Sequence, residues 1–157
     1  MSLRVLFVCT GNTCRSAMAE AIARATARRR GLAAVSFASA GTSAWDGAPA
    51  SDAALLVGIE RKLDIDLHRA RALSRSVVAD ADLILGMGAH HVERANVLGG
   101  EGKSHLLADY ATGGARGAAV DDPFGGDLDR YRATADELEE LIEQLLDRIG
   151  SSGTAAT

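Results

Sequence analysis

The chain has 157 residues, with 17 Lys and Arg against 21 Asp and Glu, which gives a formal net charge of −4. This length suits one domain with a single hydrophobic core. The acidic balance argues against nucleic acid as a partner, and no apolar stretch reaches the roughly 20 residues needed to cross a bilayer. With two cysteines and no apolar leader, we expect a cytoplasmic protein that does not bind membranes.

Strands and helices are predicted to alternate along the chain. Short apolar strands are predicted at residues 4–8, 35–39, 83–87 and 104–107. Helices are predicted at residues 17–30, from a cap at Ser51 to about residue 62, after a cap at Ser74, at 89–98 and at 128–149. A glycine-rich loop is predicted from about residue 110 to 126, and a disordered tail at residues 150–157.

This alternation predicts a single three-layer α/β domain over residues 1–149. A four-stranded, mainly parallel sheet would carry helices on both faces. In such sheets, ligands bind beyond the carboxyl ends of the strands. We therefore expect the loop after the first strand and the long loop after the fourth strand to meet at one rim.

The segment between the first strand and the first helix has the layout of a phosphate-transferring cysteine. Residues 9–16 read Cys-Thr-Gly-Asn-Thr-Cys-Arg-Ser. Unpaired backbone N–H groups and the helix dipole make such a loop an anion site, and the same field favours a nucleophilic thiolate at Cys9. Arg15 can offer a bidentate fork to phosphoryl oxygens, and Ser16 can donate its hydroxyl to the thiolate. The alternative, a buried structural cysteine before a simple turn, leaves the agreement of strand, loop and helix unexplained.

A cysteine that attacks phosphorus also requires an acid for the leaving group. The segment Asp121-Asp122-Pro123-Phe124 in the long loop offers one. Pro123 restricts Asp122 to an extended backbone, which could direct its carboxyl into the cleft. Asp-Pro is also a common way to open a turn, but the cysteine loop favours the catalytic interpretation.

On these two motifs the chain resembles the low-molecular-weight protein phosphatase family over nearly its full length. The resemblance implies that Cys9 becomes phosphorylated, that Arg15 holds the phosphoryl oxygens, and that Asp122 protonates the leaving group and then activates water. It implies no cofactor and no metal, and a phosphorylated protein as the substrate. Contacts to the phosphate or substrate are implied for Thr10, Gly11, Asn12, Thr13, Cys14, Ser16, Trp45 and Phe124. Hydrogen bonds that keep the loop in shape are implied for Asn12, Ser16, Ser39 and His68.

Thr13 bears on substrate choice. Tyrosine-specific members of that family usually place a bulky apolar residue there, whereas the loop string and the segment after Asp122 resemble the bacterial protein-arginine-phosphatase branch. A hydroxyl at Thr13 can accept a hydrogen bond from a guanidinium, and Asp122 can pair with its charge. Trp45 offers an aromatic wall that would also suit phosphotyrosine, so both substrates stay open and phosphoarginine is favoured.

Other classes of protein fit less well. An arsenate reductase of this fold would need further cysteines beyond Cys9 and Cys14, and a phosphate-binding adaptor would not need Asp122. A zinc site lacks a second ligand pair, and His90-His91 is interpreted as a polar helix face. Cys9 and Cys14 are instead expected to form a reversible disulfide that protects Cys9. A monomer is favoured.

Overall fold

The computed structural model describes the backbone of residues 2–156 and the side chains of residues 2–150. The strands are β1 (Leu3–Cys9), β2 (Val35–Gly41), β3 (Leu83–Gly86) and β4 (Ser104–Leu106). The helices are α1 (Arg15–Arg30), α2 (Asp52–Arg61), α3 (Arg75–Asp80), α4 (Ala89–Ala95), α5 (Leu107–Ala111) and α6 (Leu128–Ala156). A wide π-type turn, Asn96–Gly100, continues α4. Within the described part of the chain, no helix is both long and apolar enough to span a bilayer.

The four strands form one parallel sheet in the order β2-β1-β3-β4. This arrangement confirms the predicted four-stranded α/β fold. Strand β1 lies inside the sheet, and its side chains alternate between two hydrophobic cores. Phe7 packs in the larger core with Met18 of α1 and Leu141 of α6, whereas Val8 packs in the smaller one with Val78 of α3.

The predicted helix caps are present. The hydroxyl of Ser51 accepts a hydrogen bond from the backbone N–H of Ala54, 3.3 Å away, at the start of α2. Ser74 does the same for Val77 of α3 at 3.2 Å. Each serine thereby provides an acceptor for one backbone N–H that the first helical turn leaves without a partner.

Three elements differ from the prediction. The predicted loop after β4 begins with a short helix, α5, whose Leu107, Ala108 and Ala111 are buried in the larger core. The predicted helix at 89–98 ends earlier, at Ala95, and becomes the π-type turn because Gly99 takes a left-handed φ of 106°. Helix α6 continues past Gly150 to Ala156. The side chains of residues 151–157 lie outside the described part, and the division into a domain of 1–149 and a disordered tail stays a prediction.

Candidate active site

The sulfur of Cys9 lies at the carboxyl end of β1, inside a loop of hydrogen-bond donors. Cys9 is 1% exposed. Its Sγ lies 2.9 Å from the hydroxyl oxygen of Ser16 and accepts a hydrogen bond from the backbone N–H of Asn12 at 3.3 Å. Helix α1 begins six residues later, at Arg15, so its amino-terminal end faces the same loop. Hydrogen-bond donors and the positive end of the helix dipole therefore both lie around this sulfur.

Asn12 connects this loop to its surroundings. Its backbone is left-handed, with φ of 57°, a conformation that asparagine tolerates better than most residues. The side-chain amide donates to Ser16 Oγ at 2.7 Å, and the amide oxygen accepts from the backbone N–H of Arg71 at 3.0 Å. His68 Nε2 donates to the Asn12 carbonyl oxygen at 2.6 Å. Because Ser16 Oγ already accepts from Asn12, its single proton is free to point at Cys9 Sγ.

Arg15 and Asp122 meet beside the loop. Arg15 is 5% exposed; its Nη1 donates to the carbonyl oxygen of Val120 at 3.0 Å, and its Nη2 lies 3.5 Å from Asp122 Oδ2. Its buried Nε has no hydrogen-bond partner among the described protein atoms. A buried guanidinium N–H of this kind is a donor suited to an oxyanion.

The carboxyl of Asp122 is about half exposed, with 47% of the side chain accessible to solvent. Its Oδ1 accepts from the backbone N–H of Phe124 at 3.0 Å, across Pro123. This turn holds the carboxyl beside Arg15. We call the segment 120–124 around Asp122 the acid loop. Its backbone is held at Val120, whose N–H donates to the Met87 carbonyl at 2.8 Å.

Cys14 is buried below the carboxyl of Asp122. Its Sγ lies 4.0 Å from Asp122 Oδ1. Burial, together with the neighbouring Cys9, raises the pKa of Cys14 to about 11, so its thiol stays protonated near neutral pH. Both cysteines are free thiols in this structure, and the reversible disulfide between them stays a prediction.

Two exposed aromatic side chains stand on the segments that border the site. Trp45 is 85% exposed in the turn after β2, and Phe124 is 74% exposed in the acid loop. The phosphate loop comprises residues 9–16. Thr13 is half-buried within it, and the Thr13 carbonyl accepts from the backbone N–H of Ser51 at 2.9 Å. Thr10 and Gly11 are also half-buried. The loop therefore combines buried groups around sulfur with partly open residues toward solvent.

Ser39 does not contact the phosphate loop directly, so that part of the prediction is wrong. Its hydroxyl donates to Glu20 Oε1 at 2.6 Å, because this side of β2 faces α1. Its carbonyl accepts from Arg71 Nε at 3.0 Å, and the backbone N–H of Arg71 in turn holds Asn12. Ser39 thus acts on the loop through Arg71.

The interpretation of His90-His91 as a polar helix face is wrong for His91. His90 is exposed, but His91 is 0% exposed and lies 2.9 Å from Thr10 Oγ1 through its Nε2. A histidine at the first turn of a helix after a buried strand was the available signal. Its partner, 81 residues away, could not be inferred from it.

Gly41 is a second residue whose contact with the phosphate loop was not predicted from the sequence. A Cβ at this position would lie 2.4 Å from the Thr10 carbonyl oxygen and 3.0 Å from the Asn12 nitrogen. The end of β2 therefore approaches the phosphate loop too closely for any side chain.

The fold and the site together define a cysteine-dependent phosphatase. The chain is 40% identical over 143 residues to the protein-arginine-phosphatase of Bacillus subtilis, which covers 90% of this chain and 93% of that relative. It is 38% identical over 144 residues to the low molecular weight protein-tyrosine-phosphatase PtpB of Staphylococcus haemolyticus, with 91% and 97% covered. The family model described as low molecular weight phosphotyrosine protein phosphatase matches residues 4–155. The chain belongs to this family.

A solved structure gives the same result. A YwlE arginine phosphatase whose cysteine is replaced by a phosphorylated active-site serine superposes with a TM-score of 0.89 at 38% identity, covering 94% of this chain and 96% of that one. A phosphorylated residue in place of cysteine supports a covalent phosphoenzyme in this family. The predicted resemblance is confirmed, including its similarity to the arginine-phosphatase branch.

Proposed function

We propose that this protein hydrolyses phosphoarginine in phosphorylated proteins, with Cys9 as nucleophile. The observation that carries the choice of substrate is the threonine at position 13, a polar residue in the partly open section of the phosphate loop. Its hydroxyl can accept a hydrogen bond from a guanidinium N–H, which a phenol ring does not offer. The arginine phosphatases of Bacillus subtilis and Geobacillus stearothermophilus among the relatives support the same choice.

In the first step, the Cys9 thiolate attacks phosphorus, an S–P bond forms, and the P–N bond to arginine breaks. Asp122 gives its proton to the departing nitrogen. The loop N–H groups and the Arg15 guanidinium hold the equatorial oxygens, on which negative charge builds up. The proton of Ser16 stabilises sulfur as a thiolate before the attack.

In the second step, the Asp122 carboxylate takes a proton from a water molecule. The water oxygen bonds to phosphorus, the S–P bond breaks, and Cys9 leaves as a thiolate. Inorganic phosphate is released and the enzyme returns to its starting state. The position of Asp122, with Oδ2 3.5 Å from Arg15, is consistent with its acting at the phosphoryl group in both steps.

Phosphotyrosine is the second candidate substrate. Trp45 is exposed on the segment after β2 and could stack on a phenyl ring. The similarity to tyrosine phosphatases such as that of Staphylococcus haemolyticus supports this alternative. Thr13 argues against it because a threonine offers less apolar surface to the ring than a larger aliphatic side chain.

The test compares kcat/KM on matched phosphoarginine and phosphotyrosine peptides for the wild type, Thr13→Ile and Thr13→Val. Loss of the hydrogen bond to the guanidinium costs about 1–3 kcal/mol, so both variants should lose about 5- to 150-fold on phosphoarginine. Thr13→Ile should hold or gain activity on phosphotyrosine. Thr13→Ser, which keeps the hydroxyl, is the matched control. A wild type that prefers phosphotyrosine, with a ratio that Thr13→Ile leaves unchanged, would overturn the choice of phosphoarginine.

Three further features stay predictions. We expect the enzyme to be monomeric, to work in the cytoplasm and to bind neither nucleic acid nor membranes. The net charge of −4 supports the expectation about nucleic acid.

A further inference from the structure

His91 is a buried histidine whose two ring nitrogens both have partners at the phosphate loop or next to it. It lies in the first turn of α4, and 0% of it is exposed. Its Nδ1 accepts a hydrogen bond from the backbone N–H of Gly88 at 2.9 Å. Its Nε2 lies 2.9 Å from the hydroxyl oxygen of Thr10, the residue that follows Cys9.

These two contacts determine the tautomer of the ring. A backbone N–H can only donate, so Nδ1 must present its lone pair to Gly88. In the neutral ring the proton is then on Nε2 and is donated to Thr10 Oγ1. Burial lowers the pKa of His91 to about 4, and its neighbours His90 and Arg15 add to this lowering, so the ring is neutral at physiological pH.

The tautomer in turn determines what Thr10 can do. A threonine hydroxyl has one proton to donate and two lone pairs. Because one lone pair accepts the His91 N–H, the Thr10 proton remains available to a second partner. Thr10 is half-buried at the start of the phosphate loop, whereas His91 is fully buried. Thr10 follows Cys9 directly in the chain, and its hydroxyl lies 2.9 Å from His91 Nε2, so this pair lies at the phosphate loop.

We propose that His91 is a positioning residue that holds the Thr10 hydroxyl as a hydrogen-bond donor to the phosphoryl group bound in the loop. Most donors of such a loop are backbone N–H groups, which are fixed by the fold. A hydroxyl rotates freely unless another group sets its direction, and His91 sets it here. The donor is then oriented before the substrate arrives and needs no reorganisation as charge builds up.

The role of Thr10 rests on the phosphoryl transfer of the proposed function but not on the choice between phosphoarginine and phosphotyrosine. It is therefore tested with an aryl phosphate as substrate and inorganic phosphate as a competing ligand. Thr10→Val keeps the shape of the side chain and removes the hydroxyl. We expect about a 10- to 100-fold loss of kcat/KM and weaker inhibition by phosphate, as for a lost hydrogen bond to a charged group. Thr10→Ser should lose much less.

A double-mutant cycle separates positioning from a structural role of His91. If His91 acts through Thr10, His91→Leu should lower kcat/KM in the wild type but add little in the Thr10→Val background. His91→Gln, whose amide can both accept from Gly88 and donate to Thr10, should recover part of the activity. The exposed neighbour His90 provides the matched control, because His90→Leu should leave kcat/KM unchanged.

The outcomes are distinct. Wild-type enzyme that turns over neither an aryl phosphate nor a phosphoarginine peptide would defeat the proposed function itself. Active wild type with an unaffected Thr10→Val variant, or additive losses in the cycle, would overturn the role of His91 alone. If His91→Leu does not fold, as judged by thermal unfolding, the Thr10 variants still decide. Nitrogen NMR of the wild type should show an unprotonated Nδ1 and a protonated Nε2 at neutral pH, and the opposite tautomer would also overturn the inference.

Discussion

At the scale of single residues, several groups around Cys9 have a neighbour that can act only as a donor or only as an acceptor. This neighbour fixes the hydrogen-bonding role of each group. The Asn12 amide must donate, so Ser16 accepts from it and directs its own proton at Cys9. The Arg15 guanidinium is always cationic, and its buried Nε has no hydrogen-bond partner within the part of the chain that the structure describes. A bound phosphoryl group would meet donors whose directions are already fixed, which lowers the reorganisation needed in the transition state.

Asp122 and Asp121 are adjacent carboxylates with different surroundings. Both are exposed, but Asp122 lies 3.5 Å from the Arg15 guanidinium, whereas Asp121 makes no ion pair among the described residues. We expect Asp122→Ala to lower kcat by about 10²-fold or more on substrates with poor leaving groups, because such substrates depend most on protonation. The loss should be smaller on activated aryl phosphates. Steady-state rates across a leaving-group series measure this directly.

The matched control is Asp121→Ala, which should change kcat little on every member of the series. Equal losses for the two variants would show that Asp122 is not the general acid. A loss that does not vary with the leaving group would show that Asp122 has another role.

At the scale of elements, the phosphate loop is a connection held at its ends by regular structure. Strand β1 brings Cys9 to the carboxyl end of the sheet, and α1 begins at Arg15. In the sheet, Gly41 at the end of β2 pairs with Cys9, and its backbone N–H and carbonyl bond to the segment 71–73. The loop shape thus depends on the neighbouring strand as well as on its own residues.

Gly41→Ala tests this dependence. The new Cβ would lie 2.4 Å from the Thr10 carbonyl oxygen, so backbone must move at either β2 or the loop. A displacement of about 1 Å at a reacting group can cost roughly 10²-fold in rate, and we expect a loss of that order in kcat/KM. Gly117→Ala is the control, since its Cβ would meet only Asp109 Oδ1 at 3.9 Å. Full activity in Gly41→Ala would contradict the close approach.

The features that local sequence patterns determine were predicted, whereas contacts between residues distant in the chain were not. The strands, the caps at Ser51 and Ser74 and the loop between β1 and α1 follow from local patterns, and each was found within a few residues of its predicted bounds. His91 and Gly41 act through contacts with Thr10 that are distant in sequence, and a single chain gives no local sign of such contacts. Ser39 was placed wrongly because the partner of its hydroxyl depends on which helix covers β2.

At the scale of the whole molecule, the site lies at one end of the sheet and the larger core lies beneath it. Helix α6 covers that core with fully buried leucines and packs against α1. At the carboxyl end of α1, Arg30 pairs with Glu143 and Asp147 of α6. These pairs are partly exposed and contribute little stability by themselves. The packing of α6 therefore sets the stability of the scaffold on which the site is built.

Leu141→Ala tests whether that stability can be changed without changing the chemistry. Leu141 is 1% exposed in the larger core, so the substitution leaves a cavity and should lower the free energy of unfolding by about 2–5 kcal/mol. Denaturant unfolding followed by circular dichroism measures the loss, and Glu140→Ala on the exposed side of α6 should cost far less. Well below the unfolding temperature, kcat/KM of Leu141→Ala should stay near the wild-type value, because the groups around Cys9 come from β1, α1 and the acid loop. A variant that keeps full stability, or that loses activity while still folded, would show that α6 has a different part in this enzyme.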